Sequence, residues 1–229
     1  MSLSNILNVH NLNRVPTRDY GTDKNTWHSY ITNFYEERFL PYKDQSISLL
    51  EIGVETGASL KLWSEYFTNS STITGLDLTN SKLREEFNSN ATVVVGDAYS
   101  QDIANSLGNF DIIIDDASNN HEDHLKLLEL YIPKLNPGGI FVMEDIQNEG
   151  YFEDFTPVVE EPAPDDEDDP FAEEDLLFNA EPQTGWTGLI SKFNEVCTTN
   201  NLTNLSYEIV DLRVKSGRYD DLMFVVTAS

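Results

Sequence analysis

Two successive apolar stretches of this chain each end in a pair of acidic residues. DIIIDDA contains Asp115 and Asp116, and GIFVMED ends in Glu144 and Asp145. If these stretches are neighbouring parallel strands, they lie about 4.8 Å apart and their four carboxylates converge at one sheet edge. Such carboxylates raise one another's pKa unless a cation lies between them. An all-oxygen cluster indicates a hard divalent cation, Mg²⁺, Mn²⁺ or Ca²⁺, in preference to zinc.

The same acids have a second explanation, because they could cap helices or form ion pairs. The basic side chains available for pairing include Lys24, Arg38 and Arg218. Adjacent strand residues also point to opposite faces, so the four acids cannot all bind one ion in the same way. Both explanations stay open on the sequence alone.

Two histidines, His121 and His124, follow the first acidic pair in SNNHEDH. Their spacing of three could present both rings to one ligand, although the start of a surface helix explains them equally well. His121 is the stronger catalytic candidate. Cys197 lies in an amphipathic helical pattern and is expected in the core.

A glycine turn, EIGVETGAS, follows the first apolar run and extends from Glu51 to Ser59. A dinucleotide fold would have glycine where Glu55 stands, so that the backbone could approach a pyrophosphate. Carboxylates at Glu51 and Glu55 oppose two phosphate charges. They suit a ligand with a sulfonium and an amino group, such as S-adenosylmethionine (SAM).

Two more acids end the next two strands in order. Asp77 lies 24 positions after Gly53 and could accept both ribose hydroxyls of an adenosine. Asp97 lies in the Gly-Asp-Ala motif that ends at Ala98, and its carboxylate could accept a hydrogen bond from an adenine amino group. Taken singly, the glycines could serve tight turns and Asp77 could cap a helix. Because the glycine turn, Asp77 and Asp97 follow successive strands in order, together they favour SAM.

Seven apolar runs alternate with segments of helical periodicity. They cover residues 46–54, 72–78, 91–98, 111–117, 139–145, 207–214 and 221–228. This alternation predicts an α/β protein with an open, mostly parallel sheet and helices on both faces, which binds ligands at the carboxyl ends of its strands. LREEF, at 83–87, is predicted to be helical, and the segment 136–139 is predicted to be a turn.

The negative charge is concentrated in one stretch of the chain. Residues 149–181 contribute −14 of the net −26 and contain no Lys or Arg. This stretch predicts a mobile acidic insertion at about residues 149–182, either a solvated loop or a lid. Residues 1–45 are expected to form a helical lead-in, and residues 46–229 the main domain.

Composition limits the partners and the compartment. Forty Asp and Glu against 14 Lys and Arg would repel nucleic acid and anionic lipid, so neither is an expected partner. A single cysteine cannot form an internal disulfide, and neither a leader pattern nor an apolar run of about 18 residues is evident. We therefore expect a cytoplasmic protein. Homo-oligomerisation stays open on the sequence alone.

Several motifs together resemble the class I SAM-dependent methyltransferases. They are YGTDK at 20–24 with HSY at 28–30, LLEIGVETGASLKLW, GLDL, GDA, DIIIDDAS, LNPGG and VMED. More narrowly, the chain resembles the metal-dependent sugar O-methyltransferases of the macrolide mycinose pathway and similar domains of viral and bacterial glycan-modifying proteins. The resemblance covers roughly residues 19–147. It implies a Rossmann-like, doubly wound, seven-stranded sheet whose last strand is antiparallel.

The resemblance also implies roles for individual residues. The SAM pocket would involve Glu51, Gly53, Ser59, Asp77, Asp97, Ala98 and Asp115, and Mg²⁺ would be held by Asp116, Glu144 and Asp145. Where the family has D-D-G-S-H, with histidine as the proposed base, this chain has Asn119, whose amide cannot take a proton. Either His121 replaces that base, or the hydroxyl loses its proton to water or a carboxylate. The catalytic candidates are His121, Asn119 and Asp116.

The expected activity is SAM- and divalent-metal-dependent methylation of a hydroxyl on a sugar or glycan. One alternative is an O-methyltransferase for catechols or other small molecules. A second is an interaction protein that binds SAM without catalysis, which Asn119 keeps open. An NAD-dependent oxidoreductase on the same fold is disfavoured by Glu55.

Overall fold

The computed structural model of the protein describes residues 1–15, 20–155 and 187–229. In these residues seven strands form one sheet. The strands are β1 (Ser48–Ile52), β2 (Thr72–Asp77), β3 (Ala91–Val95), β4 (Phe110–Asp115), β5 (Leu135–Met143), β6 (Leu205–Asp211) and β7 (Leu222–Ala228). Their order across the sheet is β3-β2-β1-β4-β5-β7-β6.

The sheet is parallel except at its last strand. The pairings β2–β3, β1–β2, β1–β4 and β4–β5 are parallel, whereas β7 is antiparallel to both β5 and β6. The predicted fold class, a doubly wound and mostly parallel sheet with an antiparallel last strand, is therefore confirmed. The order reverses at β1 and β4, which places a crevice beyond their carboxyl ends.

Helices connect the strands. They are α1 (Leu3–Val9), α2 (Glu36–Arg38), α3 (Ala58–Tyr66), α4 (Gln101–Ser106), α5 (His121–Tyr131), α6 (Leu189–Thr199) and α7 (Arg213–Ser216), with a π-helical turn at Ile31–Tyr35 and 3₁₀ turns at Leu40–Tyr42, Ile132–Lys134 and Glu149–Phe152. The start of α5 is capped by Asn120, whose side chain accepts a hydrogen bond from the Glu122 amide. In the described part of the chain, no helix is long and apolar enough to cross a membrane.

Two apolar clusters cover the two faces of the sheet. Leu49 of β1 and Ile112 of β4 belong to the first cluster, and their neighbours Leu50 and Ile113 belong to the second. This alternation is what a period-two strand imposes when helices pack on both faces. Residues of α1 and of the Ile31–Tyr35 turn join the first cluster, so the N-terminal segment shares the core of the sheet.

One local prediction is wrong, and a second is only partly right. The segment 83–87 is not helical, because the Arg84 amide donates to the Thr56 carbonyl (3.0 Å) of the glycine turn and not to its own segment. The segment 136–139 lies within the bounds of β5, but it interrupts the pairing with β4, since Phe110 pairs with Leu135 and Ile112 pairs with Ile140. The extra residues of β5 include Gly138, whose φ of +77° is typical of a turn.

The structure describes only part of the predicted acidic insertion. The structure describes residues 149–155 of the predicted acidic insertion, and the remainder, 156–182, lies outside the described residues. The division of the chain at residue 45 stays a prediction.

The central strand β4 should carry much of the stability. We expect Ile113→Ala, at a fully buried position, to lower the free energy of unfolding by about 2–5 kcal/mol through lost burial and a cavity. Ile209→Ala, on the edge strand β6 and 43% exposed, should cost less than about 1 kcal/mol. Urea unfolding followed by circular dichroism measures both, and equal losses would contradict this account of the core.

Candidate functional site

The parallel strands bring the predicted site residues to one edge of the sheet. In the strand register, Asp115 lies beside Ile52 of β1 on one side and Met143 of β5 on the other. The ladder continues past the strand ends, because the Asp116 amide donates to the Ile52 carbonyl (2.9 Å) and the Glu144 amide to the Asp115 carbonyl (3.0 Å). The four acids of β4 and β5 therefore lie together, as predicted.

A cavity of about 590 Å³ opens beyond β1, β2 and β4. This volume is in the range of small-molecule sites. Four of the predicted cofactor residues line it: Gly53, Ser59, Asp77 and Ala98. The wall also contains residues that sequence reasoning did not select, among them Gly21, Thr22, Asp23, Thr79, Lys82, Tyr99 and Asp123. Part of that wall comes from the N-terminal G-T-D-K motif.

The glycine turn after β1 needs glycine for two reasons. Gly53 has φ +89°, and a Cβ there would lie 2.1 Å from the Asp116 carbonyl oxygen. Asp77 holds the turn in place, since its Oδ2 accepts from the amides of Val54 (2.8 Å) and Glu55 (3.0 Å). The Glu55 side chain is exposed and forms an ion pair with Arg14 (3.3 Å).

Three predicted cofactor residues do not line this cavity. Glu51 is fully buried behind it and accepts from the Trp63 indole and the Ser59 hydroxyl (both 3.0 Å). Asp97 is exposed and accepts from the Tyr99 amide (2.9 Å). Asp115 is buried, its Oδ2 has no hydrogen-bond partner in the described residues, and burial raises the pKa of its carboxyl well above the usual range. Their direct contact with a cofactor stays a prediction.

Next to the cavity is a group of five carboxylates that we call the acidic centre. Its members are Asp116, Glu144, Asp145, Asp220 and Asp221. Asp116 also lines the cavity, so the cavity and the acidic centre are contiguous. Asp220 and Asp221 precede β7, which the sheet order places beside β5.

Lys24 is the main counter-charge of the acidic centre. It is 1% exposed, and its Nζ lies 2.6 Å from Asp116 Oδ2 and also contacts Glu144 Oε2. The Tyr35 hydroxyl donates to Glu144 Oε1 (2.5 Å). Ion pairing with Lys24, one of the two explanations left open by the sequence, is thus present for these two acids, whereas Arg38 pairs with Glu208 (2.8 Å).

Protonation of the acidic centre follows from burial. Burial raises the pKa of Glu144 to about 7, although Lys24 opposes the shift, and burial also raises the pKa of Asp116 and of Asp145. Burial alone would lower the pKa of Lys24, but Asp116, Glu144 and Glu51 raise it well above its ordinary value. Lys24 is therefore an ammonium at neutral pH, and burial makes ionisation of the carboxylates less favourable.

His28 and Arg218 contact the part of the acidic centre that lies beyond Asp145. His28 Nδ1 lies 2.5 Å from Asp221 Oδ1 and 3.6 Å from Asp145 Oδ1, and Arg218 is paired with Asp220 (2.8 Å). Of the described residues, His28, Asp220 and Asp221 are the group whose potential metal-binding atoms lie within 4.8 Å of one another. The sequence analysis did not predict this group. The sequence features that could have indicated it are the HSY motif after G-T-D-K and the two adjacent acids before the last strand.

The catalytic candidates are dispersed. Asp116 is at the cavity, but His121 does not line it: His121 Nε2 lies 2.8 Å from the Thr187 carbonyl oxygen and its ring packs on Tyr151. Asn119 is exposed and also does not line the cavity. His124 is buried, and burial lowers its pKa to about 4. The catalytic roles of His121 and Asn119 stay predictions.

The part of the chain that contains the glycine turn and the acid-lined strand ends is similar to known proteins. Residues 50–146 match the family model described as a methyltransferase domain. Within these residues the chain is similar to methyltransferase domains. The resemblance inferred from the motifs is confirmed for these residues, which contain most of β1, all of β2 to β5 and the cavity wall from Ile52 to Asp123.

The relatives include enzymes that modify sugars. The chain is 34% identical to the 8-demethyl-8-alpha-L-rhamnosyl tetracenomycin-C 2'-O-methyltransferase of Streptomyces olivaceus. The alignment contains 139 residues and covers 56% of this chain and 36% of that enzyme. A solved structure that is similar to this chain is that of MycE from the mycinamycin biosynthetic pathway, in complex with Mg, SAH and mycinamycin VI. The two chains share 27% sequence identity with a TM-score of 0.50, over 63% of this chain and 39% of MycE.

The chain thus spans little more than a third of the length of these relatives. A match over most of its own length comes from the O-methyltransferase of Bacillus cereus in complex with SAH. That structure covers 98% of this chain and 90% of the other, with a TM-score of 0.54 and 18% identity. At this identity the likeness shows the fold alone.

The buried Glu51 gives the domain a measurable dependence on pH. Burial raises the pKa of Glu51, although the Lys24 ammonium and the hydrogen bonds from Trp63 and Ser59 oppose the shift. A raised pKa means that the folded chain holds this proton more tightly than the unfolded chain. Stability from this group is therefore lost as the pH rises above about 4.3, the ordinary pKa of glutamate.

Glu51→Gln should therefore gain stability relative to the wild type as the pH rises from 5 to 8, measured by urea unfolding at each pH. Glu65→Gln is the control, because hydrogen bonding to Lys61 lowers the pKa of Glu65 and its carboxyl is ionised throughout this range. Its stability difference should stay constant. A constant difference for Glu51→Gln as well would show that Glu51 is not desolvated in the folded chain.

Proposed function

We propose that the protein transfers the methyl group of SAM to a hydroxyl of a sugar or glycan, and that it requires a divalent cation, Mg²⁺ in the first place. The observation that carries the proposal is the contiguity of two sites through Asp116, which belongs to both the cavity and the acidic centre. The sugar O-methyltransferases among the relatives, and the Mg and SAH of the MycE structure, support it.

The cavity fits SAM by position and by lining. It lies at the switch point of the sheet, where class I folds bind their ligands. Gly53, Ser59, Asp77 and Ala98 would contact the cofactor, with Asp97 at the rim and with Glu51 and Asp115 behind the wall. SAM supplies an electrophilic methyl group on a positively charged sulfur, which an acid-rich site stabilises electrostatically.

The acidic centre fits a hard cation by its donor set. Asp116, Glu144 and Asp145 offer carboxylate oxygens, the ligands that Mg²⁺ prefers. A divalent cation held by these residues would supply a positive charge that lowers the pKa of an acceptor hydroxyl. The chain's own part is to orient these carboxylates, and Tyr30 and Tyr35 do so by donating to Asp145 and Glu144 (both 2.5 Å).

Asp116 is the catalytic candidate best placed to orient an acceptor hydroxyl, because it borders the cavity. His121 would have to leave Thr187 and Tyr151 to act as the proton acceptor. The Asn119 amide could position a hydroxyl but could not remove its proton. We therefore place the acceptor between the cavity and the acidic centre, with its reacting hydroxyl next to Asp116.

Cofactor binding should depend on Asp77. We expect Asp77→Asn to weaken SAM binding by roughly tenfold or more, because it replaces a charged acceptor and loosens the glycine turn. Isothermal titration calorimetry with SAM measures the loss, and Asp102→Asn, an exposed change in α4, is the control with unaltered affinity. Unaltered affinity in Asp77→Asn, with a native circular dichroism spectrum, would contradict this assignment.

Methyl transfer should depend on the divalent cation. After stringent EDTA treatment we expect transfer from radiolabelled SAM to a sugar diol to fall at least about a hundredfold, and Mg²⁺ in excess to restore it. Full activity without metal would refute the metal requirement.

The same assay distinguishes the alternative functions. Parallel reactions with a catechol separate the sugar assignment from the small-molecule alternative. SAM binding without turnover on a broad acceptor panel would favour a non-catalytic role.

A further inference from the structure

The G-T-D-K motif at residues 21–24 has no assigned part in the proposed reaction, yet it delivers a lysine into the acidic centre. The backbone around it is fixed: the Thr22 amide donates to the Leu12 carbonyl and the Arg14 amide to the Thr22 carbonyl, both at 2.8 Å. Gly21 has φ +107°, and a Cβ there would lie 2.7 Å from the Leu12 carbonyl oxygen. The turn therefore presents Lys24 inward by construction.

The ammonium of Lys24 lies at the oxygens that a divalent cation would need. Its Nζ contacts Asp116 Oδ2 and Glu144 Oε2, and the other oxygen of Glu144 accepts from Tyr35. Glu144 therefore has both oxygens engaged. A lysine head group is a compact point charge with three donors, so it can occupy a cation position between carboxylates.

Two cations cannot share these oxygens at close range. Like charges repel strongly where water is excluded, and Lys24 and Glu144 are 1% and 2% exposed. We propose that Lys24 is a tethered cation that competes with the divalent ion for Asp116 and Glu144. This inference rests on the metal site of the proposed function. It follows that the divalent ion binds by displacing Nζ, and that its affinity is lower than the carboxylates alone would provide.

Tethering also has a benefit for folding. Without a positive charge at Nζ, buried carboxylates would face one another unpaired, which is strongly destabilising. Lys24 keeps the acidic centre assembled at low divalent concentration. Metal affinity and stability without metal should therefore change in opposite directions when its charge is removed.

The test compares the wild type with Lys24→Met, which retains an unbranched side chain without the charge. We expect Lys24→Met to bind Mn²⁺ at least about tenfold more tightly, measured by electron paramagnetic resonance of the free ion. Its melting temperature in EDTA should fall below that of the wild type and should rise more on addition of Mn²⁺. Lys126→Met, at a partly exposed pair with Glu129 (2.9 Å), is the matched control and should behave as the wild type.

A folded Lys24→Met that binds Mn²⁺ with equal or weaker affinity than the wild type overturns the competition and leaves the metal site of the proposed function standing. Absence of Mn²⁺ binding in both proteins overturns the metal site as well. SAM affinity, measured on the same samples, separates either result from loss of the cofactor cavity.

A second measurement follows the wild type and uses Lys24→Arg only to assign the signal, in case Lys24→Met does not fold. A buried, hydrogen-bonded ammonium gives a slowly exchanging ¹H–¹⁵N signal, which Lys24→Arg identifies by its loss. Addition of Mg²⁺ should remove this signal, because Nζ leaves the carboxylates for solvent. Persistence of the signal at saturating Mg²⁺ would overturn the proposal.

Discussion

The constraint on which the rest of the structure depends is the neutralisation of buried carboxylates at one edge of the sheet. Transfer of a charge from water into protein is unfavourable unless an opposite charge or a proton accompanies it. The chain supplies Lys24 and Arg218 as counter-charges and His28 as a polar partner of Asp221. Two of these come from the N-terminal segment, so that segment must pack against the strand ends, and its apolar residues join the core of the sheet.

Backbone strain is present at the same edge. Glu55 and Asp145 are non-glycine residues with positive φ, +46° and +56°, a conformation that costs free energy and persists only where surrounding contacts enforce it. Asp77 holds the backbone of Glu55, and Tyr30 holds the side chain of Asp145. The turn beside the cavity and the acidic centre are thus preorganised, which suits a site that must align a cofactor with an acceptor.

The accuracy of the sequence predictions varied with the range of the interactions involved. Strand positions and the convergence of Asp115, Asp116, Glu144 and Asp145 follow from apolar periodicity and from the topology of a parallel sheet. The segment 83–87 was wrongly predicted as helical because its backbone bonds to Thr56, outside its own segment. A non-local hydrogen bond of this kind overrides a weak local preference.

Sequence alone determined the fold class, the glycine turn and the positions of the acids, because each is encoded in a local pattern of period, spacing or residue type. Tertiary structure decided which basic side chains contact those acids. Lys24 is separated from Asp116 by 92 residues and from Glu144 by 120, and His28 is separated from Asp221 by 193. Burial makes these pairings necessary, but the identity of each partner depends on how the N-terminal segment packs across the finished sheet.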